Sequence, residues 1–208
     1  MRIDENAKKV IDIIEAAGGE AFVVGGCVRD SILGRTPKDW DITTSMSPDE
    51  VKKAFEEKYK ILDTGLQHGT VTIMVDGEGY EVTTYRTDGD YLDGRHPSNV
   101  SFTKSIYEDL KRRDLTINAI AYNDERGFVD PFDGRGDIER GIIRTVGSAD
   151  ERFSEDALRM MRAIRFAAQL GFEIACEVKD AILRLNDNIN LVSKERIHDE
   201  LKKTIMSD

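Results

Sequence analysis

The stretch GGCVRDSILGRTPKDWDITT occupies residues 25–44, and the rest of the chain is read outward from it. It follows Ala21-Phe22-Val23-Val24, a short apolar run that reads as a buried strand entering a tight turn at Gly25-Gly26. Two glycines after a buried strand let backbone N–H groups come close to a polyphosphate. Cys27–Gly34 reads as a helix stopped by Gly34. Its N-terminus would aim at that anion, and Arg29 would add charge. Asp39-Trp40-Asp41 opens DWDITT, which reads as a strand. Residues i and i+2 of a strand share a face, so Asp39 and Asp41 would stand side by side. Adjacent carboxylates repel unless a cation neutralises them, and hard oxygen ligands suit Mg2+, a common bridge to substrate phosphates. A lone D-x-D also describes two aspartates on a solvent-facing strand. The double glycine and Arg29-Asp30 upstream turn the reading toward a metal and a phosphate. A two-metal site wants a third carboxylate from a neighbouring strand. Glu81 in YEVTTYR is best placed for it; Asp63 stays open, while Asp76 and Glu78 fall in a turn that would face solvent.

Upstream, Glu5–Ala17 places Val10, Ile11, Ile13 and Ile14 at helical spacing and closes on Gly18-Gly19. Downstream, SPDEVKKAFEEK (residues 47–58) carries a Ser-Pro-Asp helix opening. Lys60–Asp63, Thr70–Val75 and Tyr80–Tyr85 read as strands, the last two joined by a hairpin over Asp76–Gly79. TDGDYLDGRHPSN (residues 87–99) reads as a polar loop. From about Lys104 helical patterns dominate, with β-like stretches near Phe128 and Ile142–Val146. The longest helix expected is SEDALRMMRAIRFAAQLGF, capped by Ser154 and stopped by Gly171, with Ala157, Met161, Ile164 and Ala168 as its apolar stripe. Asp156, Arg159, Arg162 and Arg165 would trace a polar edge. The pattern gives an α/β head over residues 1–140 and a helical neck over residues 141–208.

The chain has 208 residues, with 30 basic and 40 acidic side chains, a formal net charge of −10. That balance counts against a protein that coats nucleic acid by bulk attraction, though not against a local basic groove. No apolar run is long enough to span a membrane, and the charged N-terminus MRIDENAKKV shows no secretion signal. Cys27 and Cys176 are too few for a disulfide framework or a zinc site, which fits a reducing cytoplasm. His68, His96 and His198 have no ligand spacing, and no Ser/His/Asp or Cys/His arrangement competes with the carboxylates.

Residues 25–44 resemble the nucleotidyltransferase signature of the class II CCA-adding enzyme and bacterial poly(A) polymerase family, in the DNA polymerase β-like superfamily. KRRDLTINAIAY (residues 111–122) is similar to that family's second motif, and EDALRMMRAIRFAAQLGF (residues 155–172) to its nucleotide-recognition motif. The resemblance implies a polymerase-β-like head, with a small mixed β-sheet packed by helices, followed by an all-α neck. It implies that Asp39, Asp41 and Glu81 are catalytic and hold two Mg2+ ions. It implies that Gly25, Gly26 and Arg29 bind nucleotide, that Arg113 contacts it and that Asp114 helps read the ribose. Asp156 and Arg159 would serve as a protein template for the base, with Arg162 and Arg165 supporting the triphosphate and base pocket.

The chemistry of such a template is sensible. An Asp156 carboxylate accepts from the exocyclic amine of cytosine or adenine, and Arg159 donates to the ring acceptors beside it. Uracil and guanine present a carbonyl where that amine should be. The implied reaction is addition of CMP and AMP, from CTP and ATP, to the 3′ end of tRNA. GLQHGTVTIMV (residues 65–75) and the loop at residues 87–99, with Asp90, Tyr91, Arg95 and His96, favour CCA addition. A poly(A) polymerase, a split CC- or A-adding enzyme, and a truncated non-catalytic nucleotide- or RNA-binding module remain as alternatives. The family's C-terminal body and tail domains grip the tRNA, so tight tRNA binding is expected to need more than these residues.

Overall fold

The computed structural model describes residues 1–89 and 100–206; Asp90, Tyr91, Arg95 and His96 of the expected loop lie outside the described residues. The chain forms two compact units. Of the described residues, the first holds 1–87, 100–112 and 120–131, and the second holds 88–89, 113–119 and 132–206. No helix among the described residues is long and apolar enough to cross a membrane.

The first unit begins with helix α1 (Glu5–Ala16), whose Asp4 carboxylate accepts from the Asn6 and Ala7 amides at 2.9 Å. Its buried stripe is Ala7, Val10, Ile11 and Ile14. Strand β1 (Ala21–Val24) is buried on both faces, as its unbroken apolar run requires. Helix α2 (Gly26–Ile32) and strand β2 (Ile42–Thr44) follow. Helix α3 (Pro48–Phe55) opens on a reciprocal cap between Ser47 and Glu50, with Pro48 in the first turn, where its missing N–H costs nothing. Strands β3 (Lys60–Gly65), β4 (Thr70–Val75) and β5 (Glu78–Thr84) come next. The β4–β5 turn is tighter than the four residues expected. Asp76 and Gly77 alone make it, at φ 51° and 90°, and Glu78 already pairs with Val75.

Strands β6 (Arg86–Asp88) and β7 (Val100–Phe102) form a separate two-stranded ribbon. Helix α4 (Ile106–Lys111) precedes strands β8 (Ala121–Asn123) and β9 (Gly127–Val129). The main sheet runs β3-β4-β5-β2-β1-β8-β9, and within it only β2 and β5 are parallel. This is the small mixed sheet packed by helices that the resemblance implies. Strand β8 escaped the sequence reading: three residues in a region of helical pattern carry too little alternation to be seen.

Among the described residues the second unit is mainly helical, with a two-residue parallel pair of β10 (Ile142–Ile143) with β11 (Glu173–Ile174) and an isolated antiparallel bridge between Leu115 and Thr145. Its helices are α5 (Gly134–Arg140), α6 (Ala149–Glu155), α7 (Leu158–Leu170), α8 (Cys176–Leu185) and α9 (Lys194–Ile205). The single helix expected from Ser154 is in fact two. Ser148 caps α6, and the chain leaves helical geometry at Asp156, with φ −149° and ψ 106°. The Asp156 carboxylate accepts from the Leu158 amide at 3.0 Å, so a short side chain competes with the helix and starts a new one. The break shifts the buried stripe to Leu158, Met160, Ala163 and Phe166, leaving Ile164 46% exposed and Ala168 exposed.

Candidate functional site

In the first unit, β1 ends at Val24 and the chain turns at Gly25, with φ 80° and ψ −126°. A side chain is strained in that backbone, so Gly25 must be glycine. Gly26 is not so constrained: a Cβ there would meet only the Arg29 guanidinium, at 3.6 Å. Arg29 is 8% exposed and lies along its neighbour, Nε and Nη2 donating to Asp30 Oδ1 at 2.9 and 2.8 Å. Cys27 is buried behind the turn, its Sγ donating to the Val24 carbonyl at 3.4 Å, and burial with the nearby Asp41 charge pushes the thiol up to about 12. It is a packing group.

Asp39 and Asp41 lie just before β2, not within it as expected. The Asp41 carbonyl accepts from the Val24 amide at 3.0 Å, before Gly25 carries the partner strand away. Both aspartates are exposed. The β2–β5 pairing aligns Ile42 with Val82, so one step earlier the register sets Asp41 level with Glu81. Parallel neighbours run about 4.8 Å apart, so these residues stand side by side. Glu81 is exposed between buried Tyr80 and Val82. The other acidic candidates are engaged elsewhere. Asp63 pairs with Lys52 at 2.8 Å, Asp76 with Lys9 at 3.3 Å, and Glu78 accepts from Tyr80 at 3.0 Å. Carboxylate oxygens at the end of a parallel pair are the donor type a hard divalent ion takes. They are neighbours without being gathered: among the described residues no three acidic, thiol or imidazole groups converge on one ion.

Asp109 was not singled out by sequence, and it is wholly buried. It accepts from Arg112 Nε and Nη2 at 3.0 and 2.8 Å, from the Arg86 amide at 3.3 Å and from the Thr43 hydroxyl at 3.4 Å. It thereby ties the end of α4 to β2 and to the residues that follow β5.

The second unit holds the remaining expected residues. Arg113 is half-buried. Asp114 accepts from Arg162 Nε at 2.6 Å and from the Leu115 amide at 2.9 Å. Burial would raise its carboxyl, but the Arg162 guanidinium, joined by the Arg159 charge and the Leu115 amide, outweighs burial and holds it at about 2. Arg165 is 8% exposed; it donates to Glu200 Oε2 at 2.6 Å and lies 4.2 Å from the Phe166 ring centroid. It braces α7 from inside. The Arg159 amide donates to the Asp156 carbonyl at 3.0 Å, while the two side chains take other partners. Arg159 is held by Glu155, which also pairs with Arg152 at 2.9 Å. Asp156 is gripped by Arg196, at 3.3 and 2.7 Å. The Glu155–Arg159 pair could have been found from its i,i+4 spacing. Arg196 and Glu200 could not, because their partners are 40 and 35 residues away in sequence.

Residues 21–144 match the family model described as the poly A polymerase head domain, and residues 171–208 match the one described as a probable RNA and SrmB-binding site of polymerase A. The chain is 53% identical over 203 residues to a CCA-adding enzyme of Lactiplantibacillus plantarum, covering 96% of this chain and 48% of that protein. It is 50% identical over 201 residues to a CCA-adding enzyme of Geobacillus thermodenitrificans, covering 97% and 49%. The solved Bacillus stearothermophilus CCA-adding enzyme in complex with CTP superposes with a TM-score of 0.87 at 45% identity, over 96% of this chain and 47% of that one. The Thermotoga maritima CCA-adding enzyme complexed with tRNA_CCA shares the fold, with a TM-score of 0.80 at 24% identity over 100% of this chain and 49% of that one. The chain thus spans about half the length of the relatives it matches.

Proposed function

We infer the function from one premise: the chain belongs to the poly(A) polymerase head-domain family. It works as a template-independent RNA nucleotidyltransferase, adding CMP and AMP from CTP and ATP to the 3′ end of tRNA. What supports this reading is the parallel β2–β5 register, whose first pair is Ile42 with Val82: carried one step back it brings Asp41 level with Glu81, beside the strand that turns at Gly25. The names of the relatives support CCA addition as the product.

The chain's own residues divide the work. Asp39, Asp41 and Glu81 would hold two divalent cations, Mg2+ ions. When bound, these supply activation of the attacking 3′-hydroxyl and neutralisation of the departing pyrophosphate. Gly25, Gly26 and Arg29 receive the triphosphate, with Asp30 keeping the Arg29 guanidinium in place. Asp156 accepts from the exocyclic amine of cytosine or adenine, and Arg159 donates to the acceptors beside it. Uracil and guanine set an oxygen against the carboxylate and leave it without a donor. Arg113 and Asp114 contact nucleotide and ribose, and Arg162 holds Asp114 ionised for that task. Arg165 acts from beneath. Residues 1–140 serve as the head and 141–208 as the neck, in a cytoplasmic protein.

The test is direct. The protein is incubated with Mg2+, CTP, ATP and a tRNA ending at the discriminator base, and the 3′ ends are sequenced. Ends in CCA are expected. Ends in CC alone, single A additions or long A tracts would assign the chain to another member of the family. With Asp41→Asn, extension is expected to fall by at least about a hundredfold, the upper end of what losing even an outer-shell partner of a metal ligand costs.

A further inference from the structure

Strands β4 and β5 bury one face and show the other. Val71, Ile73, Tyr80 and Val82 alternate onto the buried face. The opposite face of β5 carries Gly79, Glu81 and Thr83, with Glu81 exposed and Thr83 half-buried. Level with these three on β4 stand Met74, Thr72 and Thr70. Two hydroxyl pairs lie on this face: Thr70 with Thr83 at 2.9 Å, and Thr72 with Thr64 of β3 at 2.8 Å. Thr72 is buried, and Thr64 stands a strand further from Glu81. Thr70 and Thr83 are the open pair, both half-buried.

The sheet order relates this pair to the reaction. It runs β4-β5-β2-β1, so the carboxylates of β2 and β5 lie between Thr70 and the turn at Gly25 that follows β1. With the triphosphate received on the Gly25 flank, an in-line displacement brings the attacking oxygen from the other flank, over β5 and β4. On β5, Glu81 has Gly79 on one side and Thr83 on the other, and only the second offers a hydroxyl. Thr83 stands two residues on, roughly 7 Å along the strand. A ribose with its 3′-hydroxyl at Glu81 can span that step with its neighbouring 2′-hydroxyl. Two bonded hydroxyls share one proton and keep the second, so the pair both donates and accepts. A ribose 2′-hydroxyl also does both, and it is the group that separates RNA from DNA.

We propose that the Thr70–Thr83 hydroxyl pair is the subsite for the 2′-hydroxyl of the acceptor's terminal nucleotide, and that through it the chain selects an RNA end over a DNA end. This deepens the proposed function and rests on it, in particular on Asp41 and Glu81 holding the cations beside the attacking 3′-hydroxyl.

The experiment measures kcat/KM for extension, with CTP and Mg2+, of two tRNAs ending at the discriminator base. One carries ribose in its last residue and the other 2′-deoxyribose. The unaltered chain is compared with Thr70→Val, Thr83→Val and Thr83→Ser. Removing the 2′-hydroxyl changes the reactivity of the 3′-hydroxyl equally for every chain, so the shift in the ratio between variants carries the answer. The ribose-over-deoxyribose preference is expected to fall about tenfold in either valine variant, the upper end of one hydrogen bond between neutral groups. Thr83→Ser keeps the hydroxyl and should keep the preference, and KM for CTP should stay unchanged throughout. A threonine pair that only braces the sheet would slow both acceptors together and leave their ratio alone. If one valine variant does not fold, the other decides. A preference unchanged in the valine variants, or absent from the unaltered chain, overturns this inference and leaves the proposed function standing. An unaltered chain that does not extend the ribose-ended tRNA overturns the proposed function and this inference with it.

Discussion

At the scale of single residues, paired charges settle more than the motifs do. Asp114 is held at about 2 by Arg162, well below the usual 3.8 of an aspartate. Its folded value is below its unfolded value, so as pH falls the unfolded chain takes up the proton first. The stabilisation is therefore present at neutral pH, declines below about 4 and is gone near about 2. The difference corresponds to roughly 2 kcal/mol. Urea unfolding should show Asp114→Asn less stable than the unaltered chain by about that amount at pH 7. The gap should close between pH 4 and pH 2. A gap independent of pH would mean that Arg162 contributes shape rather than charge. The cysteines offer a second check. Cys27 is buried with its thiol raised, whereas Cys176 is exposed. Iodoacetamide at pH 8 should label Cys176 in the native chain, and Cys27 only after denaturation.

At the scale of elements, the glycine turn between β1 and α2 separates a backbone requirement from a spatial one. Gly25 has φ 80°, whereas a Cβ on Gly26 meets one flexible guanidinium at 3.6 Å. Gly25→Ala should therefore lower stability by about 1–3 kcal/mol, and Gly26→Ala by less than about 0.5 kcal/mol. Thermal unfolding of the two variants distinguishes them; equal losses would show that the turn is not strained. The same comparison explains what was legible in the sequence. Elements with strong local chemistry were readable: α1 by its apolar spacing, α3 by its Ser47–Glu50 cap, and β4 and β5 by their alternation about a turn. Elements set by distant partners were not. Strand β2 is only three residues long because the ladder beside it stops at Gly25. Helices α6 and α7 separate because Asp156 bonds to Leu158. The carboxylates of the site announced themselves by type and spacing. That Glu81 stands level with Asp41 depends on a parallel pairing between segments 40 residues apart, which no local pattern encodes.

At the scale of the whole molecule, the formal charge of −10 and the ion pairs act together on nucleic-acid affinity. An RNA phosphate competes for cations that the protein has already committed. Arg140 and Arg144 both bind Asp137, Arg112 binds Asp109, Arg162 binds Asp114 and Arg165 binds Glu200. Several of these carboxylates are buried, so breaking such a pair to reach a phosphate would leave an uncompensated buried charge. The arginines that looked like a basic edge in the sequence are therefore poor phosphate ligands in the fold. The chain should meet tRNA through few phosphate contacts, and two such contacts would lose about tenfold in affinity between 50 and 200 mM salt. Affinity for tRNA at physiological salt should accordingly be weaker than about 1 μM, within the range of non-specific binding. Filter binding of labelled tRNA across that salt range measures both quantities. A steeper dependence, or nanomolar binding at 150 mM salt, would require cations beyond those left by the pairing described above. The ion pairs would then have to open on contact with RNA. The same titration with Glu200→Gln separates the two cases, because releasing Arg165 from its partner should steepen the salt dependence only if the arginine can reach the backbone.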